Sequence, residues 1–141
     1  MSEASAPLLL DTCALIWIAE DAMISEPAAE ALNSSYHTGR PVYVSPISAW
    51  EVGMLISRGR LACLIKPQLW FRRLLDAPSL RLAEMSTDLL ITSSFLPGTP
   101  PRDPADRIIA ATVREFGYRL MTRDRLLLDY AEQGHIQALI C

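Results

Sequence analysis

Short apolar runs alternate along this chain with longer segments in which apolar residues return every three or four positions. The runs are "PLLLD" (7–11), "VYVS" (42–45), "LRLAE" (80–84), "YRLMT" (118–122) and "HIQALI" (135–140). They are short and bounded by turn residues, the pattern expected of strands covered on both faces. The segments between them predict helices, with starts at Ser45-Pro46, within "SEPAAEALNSS" and within "KPQLWFRRLLDA", and with Gly117 and Gly134 where helices end. Strand and helix in alternation predict a three-layer α/β/α domain around a mostly parallel sheet.

Composition narrows this picture. At 141 residues and 50% hydrophobic, the chain has material for one compact domain spanning 1–141, and no repeat or interdomain linker divides it. The Pro-rich stretch "LPGTPPRDP" (96–104) is its one conspicuous loop, leading into the helical segment "ADRIIAATVREFG". A formal charge of −3 argues against a uniformly basic nucleic-acid coat and leaves a local groove open. Cys13, Cys63 and Cys141 are odd in number and have no CxxC spacing, so neither a disulfide framework nor a thiolate zinc site is expected. The apolar run from Leu8 to Ala19 is broken by Asp11 and Thr12 and is too short to cross a bilayer. A cytoplasmic protein without membrane span or export signal is the expectation. Leu15, Ile16, Trp17 and Ile18 in a row exceed what a small core needs and suggest an interface.

The informative feature is where carboxylates interrupt apolar surroundings. Asp11 stands at the carboxyl end of the first expected strand, the edge at which open α/β sheets place their ligand crevices. It reads either as a helix cap or as a ligand to something in that crevice. Glu51, beside Trp50 and Val52, lies near an apolar helix face with no basic residue within a turn, since Arg58 is seven positions on. A buried carboxylate needs a cation, a hydrogen-bond donor or a proton; otherwise it snorkels from the helix edge. Asp103 precedes Pro104 and suits an N-cap, whereas Asp106 sits one turn in, next to the stripe Ile109, Ala110 and Val113. Thr122 and Asp124 follow a strand, again at a carboxyl end, where Asp124 either caps "RLLLDYAE" or joins the others. Two like charges about 4 Å apart repel by roughly 4 kcal/mol at an effective dielectric near 20, so a convergent set calls for divalent cations or protons. An all-oxygen donor set suits magnesium, with manganese as a substitute, rather than zinc. His37 and His135 fit no metal motif.

These residues, read in order, give the chain a family likeness. It resembles the PIN-domain ribonucleases, in particular the VapC-like toxins of bacterial toxin–antitoxin pairs, through "LLLDT", "SPISAWEVGML", "GRL", "LPGTPPRDPADRIIAATV" and "LMTRDRLLLDY", which together reach to about residue 130. The resemblance implies that Asp11, Glu51, Asp106 and Asp124 form an acidic metal-binding and catalytic quartet, supported by Thr12, Asp103 and Thr122. It implies a Mg2+-dependent endoribonuclease that leaves a 3′-hydroxyl and a 5′-phosphate, an antitoxin as protein partner, and a homodimer. Three positions depart from the family pattern: Pro101 stands where a histidine is frequent, Ala105 where an aromatic residue is, and Leu55 where many members have lysine.

Between Arg58 and Arg81 the cations Arg58, Arg60, Lys66, Arg72, Arg73 and Arg81 face the single acid Asp76. Arg58, Arg60, Arg72 and Arg73 are candidates for RNA phosphates, and the alternative is an ordinary solvated face. Trp70 and Phe71 read as base-stacking residues or as core. Two other phosphate-handling classes fit poorly. An aspartyl-phosphate phosphatase would have a second Asp where Cys13 stands, and a receiver domain would need a late-strand lysine, whereas Lys66 is the only lysine. A PIN fold that binds RNA or protein without cutting remains the competing reading.

Overall fold

Three consecutive leucines form the first strand, β1 (Leu8–Leu10), and all three are buried because neighbours cover both faces of it. The computed structural model describes residues 6–77 and 79–141; residues 1–5 of the expected domain, and Pro78, lie outside this description. Next come α1 (Thr12–Ala19), α2 (Glu26–His37) and β2 (Val42–Val44), followed by α3 (Ile47–Ser57), α4 (Pro67–Leu75) and β3 (Leu80–Leu82). The second half runs α5 (Thr87–Thr92), α6 (Pro104–Phe116), β4 (Arg119–Thr122), α7 (Arg125–Glu132) and β5 (Gln137–Ile140).

The five strands lie in the order β3-β2-β1-β4-β5 with every pairing parallel. All five expected strands are present, trimmed by a residue or two. Successive side chains of a strand point to opposite faces, and this splits the core in two. Leu8, Leu10, Val42, Val44 and Met121 pack with Ala14, Leu15 and Ala28 on one face; Leu9 and Leu120 pack with Ile109, Val113, Leu127 and Tyr130 on the other. The run Leu15 to Ile18, expected at an interface, is consumed inside the fold instead. Leu15 and Ile16 are buried, Trp17 and Ile18 pack against the first cluster, and the Arg123 guanidinium lies 3.9 Å from the centre of the Trp17 ring. Phe71 likewise packs against that cluster.

Helix starts follow local chemistry. Ser25, Ser86, Asp103 and Asp124 each accept a backbone N–H of the following first turn, and Gly117 ends α6 in the left-handed conformation. Ser45 performs this role one residue early, its Oγ accepting from the Ile47 N–H at 3.2 Å, so that Pro46 rather than Ser45 stands at the cap. No helix among the described residues is long and apolar enough to cross a membrane.

The chain builds outward from β1 on one side, through β2 and β3, and then returns to place β4 on the other. The strand order therefore reverses between β1 and β4, and a crevice opens above their carboxyl ends.

Leu9 is the side chain on which the second face is built. Replacing it by alanine should destabilise the fold by about 2–5 kcal/mol, measured by urea unfolding at unchanged m-value.

Candidate active site

At the reversal between β1 and β4 the carboxylates are held by a short chain of hydrogen bonds. The Asp11 backbone N–H donates to the Met121 carbonyl at 3.0 Å, continuing the β1–β4 pairing one residue beyond the strand. Its Oδ1 accepts from the Thr12 N–H at 2.8 Å and its Oδ2 from the Thr122 hydroxyl at 2.7 Å. Asp11 thus both caps α1 and sits in the crevice, at 4% exposure. The Thr122 oxygen in turn accepts the Asp124 N–H at 3.0 Å, and Asp124 Oδ1 caps α7 by accepting from Leu127 at 3.0 Å. One hydroxyl ties the two strand-end acids together.

Helices supply the other two. Asp103 caps α6 by accepting the Asp106 N–H at 3.0 Å, which sets the first turn from which Asp106 projects. On α3, Glu51 Oε1 accepts from the Thr12 hydroxyl at 2.6 Å, and the Thr12 oxygen also lies 2.8 Å from Ser48 Oγ. A hydroxyl has one proton to give. Since Thr12 donates it to Glu51, Ser48 must donate to Thr12, and a directed relay Ser48 to Thr12 to Glu51 results. Sequence reading did not single out Ser48. Its signal was a small polar residue three positions before Glu51 on an apolar helix, and it is fully buried.

Asp11, Thr12, Glu51, Asp103, Asp106 and Asp124 line one pocket of about 310 Å³, walled by Cys13, Trp50, Met54, Leu55, Arg58 and Arg60. Arg72 and Arg73, on α4, do not line it. Neither do His37 and His135; the latter packs beside the Tyr130 ring.

Crowding of these acids shows in their protonation. Burial, followed by the charges of Asp11, Asp103, Asp124 and Glu51, pushes Asp106 up to about 8. Burial also raises Asp11 and Glu51, each further by neighbouring carboxylates and each partly relieved by its threonine hydroxyl. The exposed Cys13 thiol is pushed up to about 11 by desolvation and then by the same acids. Among the described residues the only ion pairs join Arg125 to Asp129 and Glu132, so no arginine neutralises the cluster.

The donor set is all oxygen and short of positive charge, which suits a hard divalent cation. No three acid, histidine or cysteine side chains among the described residues form a ready-made metal-binding group. The chemistry of the set fits an ion, and the carboxylates would have to draw in around it.

Residues 8–133 match the PIN domain family model. The chain is 34% identical over 124 residues to "Ribonuclease VapC22" of Mycobacterium tuberculosis, across 87% of this chain and 91% of that protein. In fold it is similar to the Rickettsia felis VapBC2 structure bound to a DNA fragment from its promoter, with TM-score 0.64 and 12% identity over 94% of this chain and 97% of that one. It is also similar to FitAcB from Neisseria gonorrhoeae, with TM-score 0.56 and 20% identity over 94% and 96% of the two chains.

Two outcomes are expected of the metal-free protein. Folded Asp106 keeps its proton to about pH 8, whereas an unfolded aspartate releases it near 3.8, so the folded state binds more protons between those limits and stability falls as pH rises through them. Asp106→Asn should flatten that slope and raise the melting temperature at pH 8 by about 3 °C or more, read from thermal melts in chelator at several pH values. Ser48→Ala should lower stability by about 1 kcal/mol, and a cycle with Thr12→Val should show the two losses to be non-additive, as members of one relay.

Proposed function

The chain belongs to the PIN-domain family, and we propose that it is a divalent-metal-dependent endoribonuclease, the toxin of a toxin–antitoxin pair. The observation that carries the reading is the convergence of Asp11, Glu51, Asp106 and Asp124, from four separate segments, in one pocket with no cationic side chain paired to them among the described residues. Its similarity to a ribonuclease over most of both chains supports the same conclusion.

When bound by these four carboxylates, magnesium or manganese would supply a polarised water and offset charge developing on a phosphodiester. The protein's contribution is to hold the acids. Thr122 orients Asp11, the Ser48–Thr12 relay orients Glu51, and Asp103 sets the helix turn that carries Asp106. Among the described residues at the pocket no hydroxyl or thiol is placed to act as nucleophile: the Thr12 and Thr122 protons are engaged on carboxylates, and the Cys13 thiol stays protonated far above neutral pH. Hydrolysis by water is the chemistry such a site supports.

An antitoxin partner is supported by the fold's similarity to the VapBC2 and FitAcB structures. The exposed apolar side chains Ile91 and Phe95, on and just after α5, support a homodimer. Three unpaired cysteines support a reducing, cytoplasmic setting.

Purified protein incubated with a mixed RNA pool should cut it with manganese and not with chelator, and Asp11→Asn should lower the rate at least about 100-fold. Cleavage unchanged by chelator or by the substitution would overturn the assignment. RNA bound by folded, manganese-loaded protein yet left intact would favour a module that binds without cutting.

A further inference from the structure

At the amino edge of the sheet, opposite the carboxylates, positive charge gathers. Arg119 opens β4 beside Leu8, and Arg40 stands two residues before β2 on the other side of β1. Their backbones are two strand spacings apart, about 10 Å, so both side chains reach a common point. Arg40 and Arg119 line the same small cavity of about 50 Å³, together with Ser34, Ser35 and Thr38 from the end of α2. Arg40 also lines a second cavity of about 440 Å³, walled by Tyr36, His37 and Arg81. No carboxylate of the described residues lines either one.

Neither guanidinium of the small cavity has a hydrogen-bond or ion-pair partner among the described residues. The arginine side chains bonded there are Arg72, Arg114, Arg123 and Arg125, and only Arg125 forms ion pairs. Arg40 and Arg119 are nevertheless half-buried, whereas most arginines of the chain are exposed. A helix C-terminus commonly satisfies such a cation with its last carbonyls. Here those carbonyls already have donors. The Ser34 carbonyl accepts the Thr38 N–H at 3.0 Å and the Thr38 hydroxyl at 2.8 Å; the Ser35 carbonyl accepts the Arg40 N–H at 2.9 Å, and that of Tyr36 the Gly39 N–H at 3.3 Å. The Ser35 hydroxyl is spent on the Ala31 carbonyl at 3.0 Å. Two guanidiniums and the Ser34 hydroxyl are left to donate into the small cavity.

We propose that this cavity binds a dianionic phosphate group, either the free ion or a small monoester whose remainder extends into the larger cavity that Arg40 shares. Forked guanidinium donors and a hydroxyl match the oxygens of such a group. Size agrees: at about 10–15 Å³ for each water-sized group, the cavity takes about four, the number of oxygens on one phosphate. Charge selects the class, because two unpaired guanidiniums balance the two charges a monoester carries at pH 8, whereas a phosphodiester carries one. The binding does not rest on the nuclease reading, since the acids lie at the other edge of the sheet.

Isothermal titration of the metal-free, full-length chain at pH 8 and constant ionic strength tests this with inorganic phosphate, AMP, 3′,5′-cyclic AMP and adenosine. Phosphate and AMP should bind at one site per chain with Kd below about 1 mM. Cyclic AMP, the diester of the same nucleoside, should bind at least about tenfold more weakly than AMP, and adenosine should give no heat. Arg40→Gln and Arg119→Gln should each weaken phosphate about tenfold or more, Ser34→Ala about threefold, and Arg40→Lys less than Arg40→Gln. AMP binding tighter than phosphate, with the difference lost in Tyr36→Leu, assigns the site to an ester; AMP no tighter than phosphate assigns it to the free ion. No binding of either, or binding indifferent to both arginines in variants with wild-type circular dichroism, overturns the proposal. So does phosphate binding seen only in Glu3→Gln, which would give the cavity to the chain's own carboxylate. A 12-nucleotide RNA held through Arg40 and Arg119 by protein that ignores phosphate also overturns it, in favour of a nucleic-acid backbone.

Discussion

Four carboxylates gathered in one pocket and partly out of water, with no side-chain cation in an ion pair with them among the described residues, are the constraint around which the rest of this protein is arranged. Like charges that share a pocket repel, and burial removes the water that would screen them. The metal-free protein relieves this by keeping a proton on Asp106 and by hydrogen bonds to Asp11 and Glu51. Both devices leave the acids able to accept a cation. An arginine salt bridge would have relieved the repulsion and occupied the site.

The fold bears this charge because the acids sit where the backbone already offers donors. Asp11, Asp103 and Asp124 are helix N-caps, so first-turn N–H groups partly offset their charge. Thr122 and Thr12 couple the acids to one another, and Ser48 anchors Thr12 from inside α3. Capping and convergence on the crevice go together here: Asp11 and Asp124 each cap a helix and line the same pocket.

Much of the architecture was legible because each strand is an apolar run bounded by turn residues and each long helix announces its start. α5, six residues from Thr87 to Thr92, was too short for periodicity to mark, and its cap Ser86 is one serine among many. The acidic residues were legible as interruptions of apolar runs. Ser48 was not, because a serine on an apolar helix shows no partner until its neighbours are known. The run Leu15 to Ile18 pointed outward for the same reason: surplus can be counted along the chain, but the faces that absorb it belong to other segments.

By itself the sequence determined the alternation of strand and helix, the places where carboxylates break apolar runs, and the caps that start the helices, since each depends on residues a turn or less apart. Only the tertiary structure decided that β4 returns beside β1, bringing Thr122 to Asp11 across 111 positions and Thr12 to Glu51 across 39. It also decided that Arg58 and Arg60 share a pocket with the acids while Arg72 and Arg73 do not. Those outcomes depend on distances between segments that no local pattern encodes. They are settled when the two sheet faces pack and the strand order reverses.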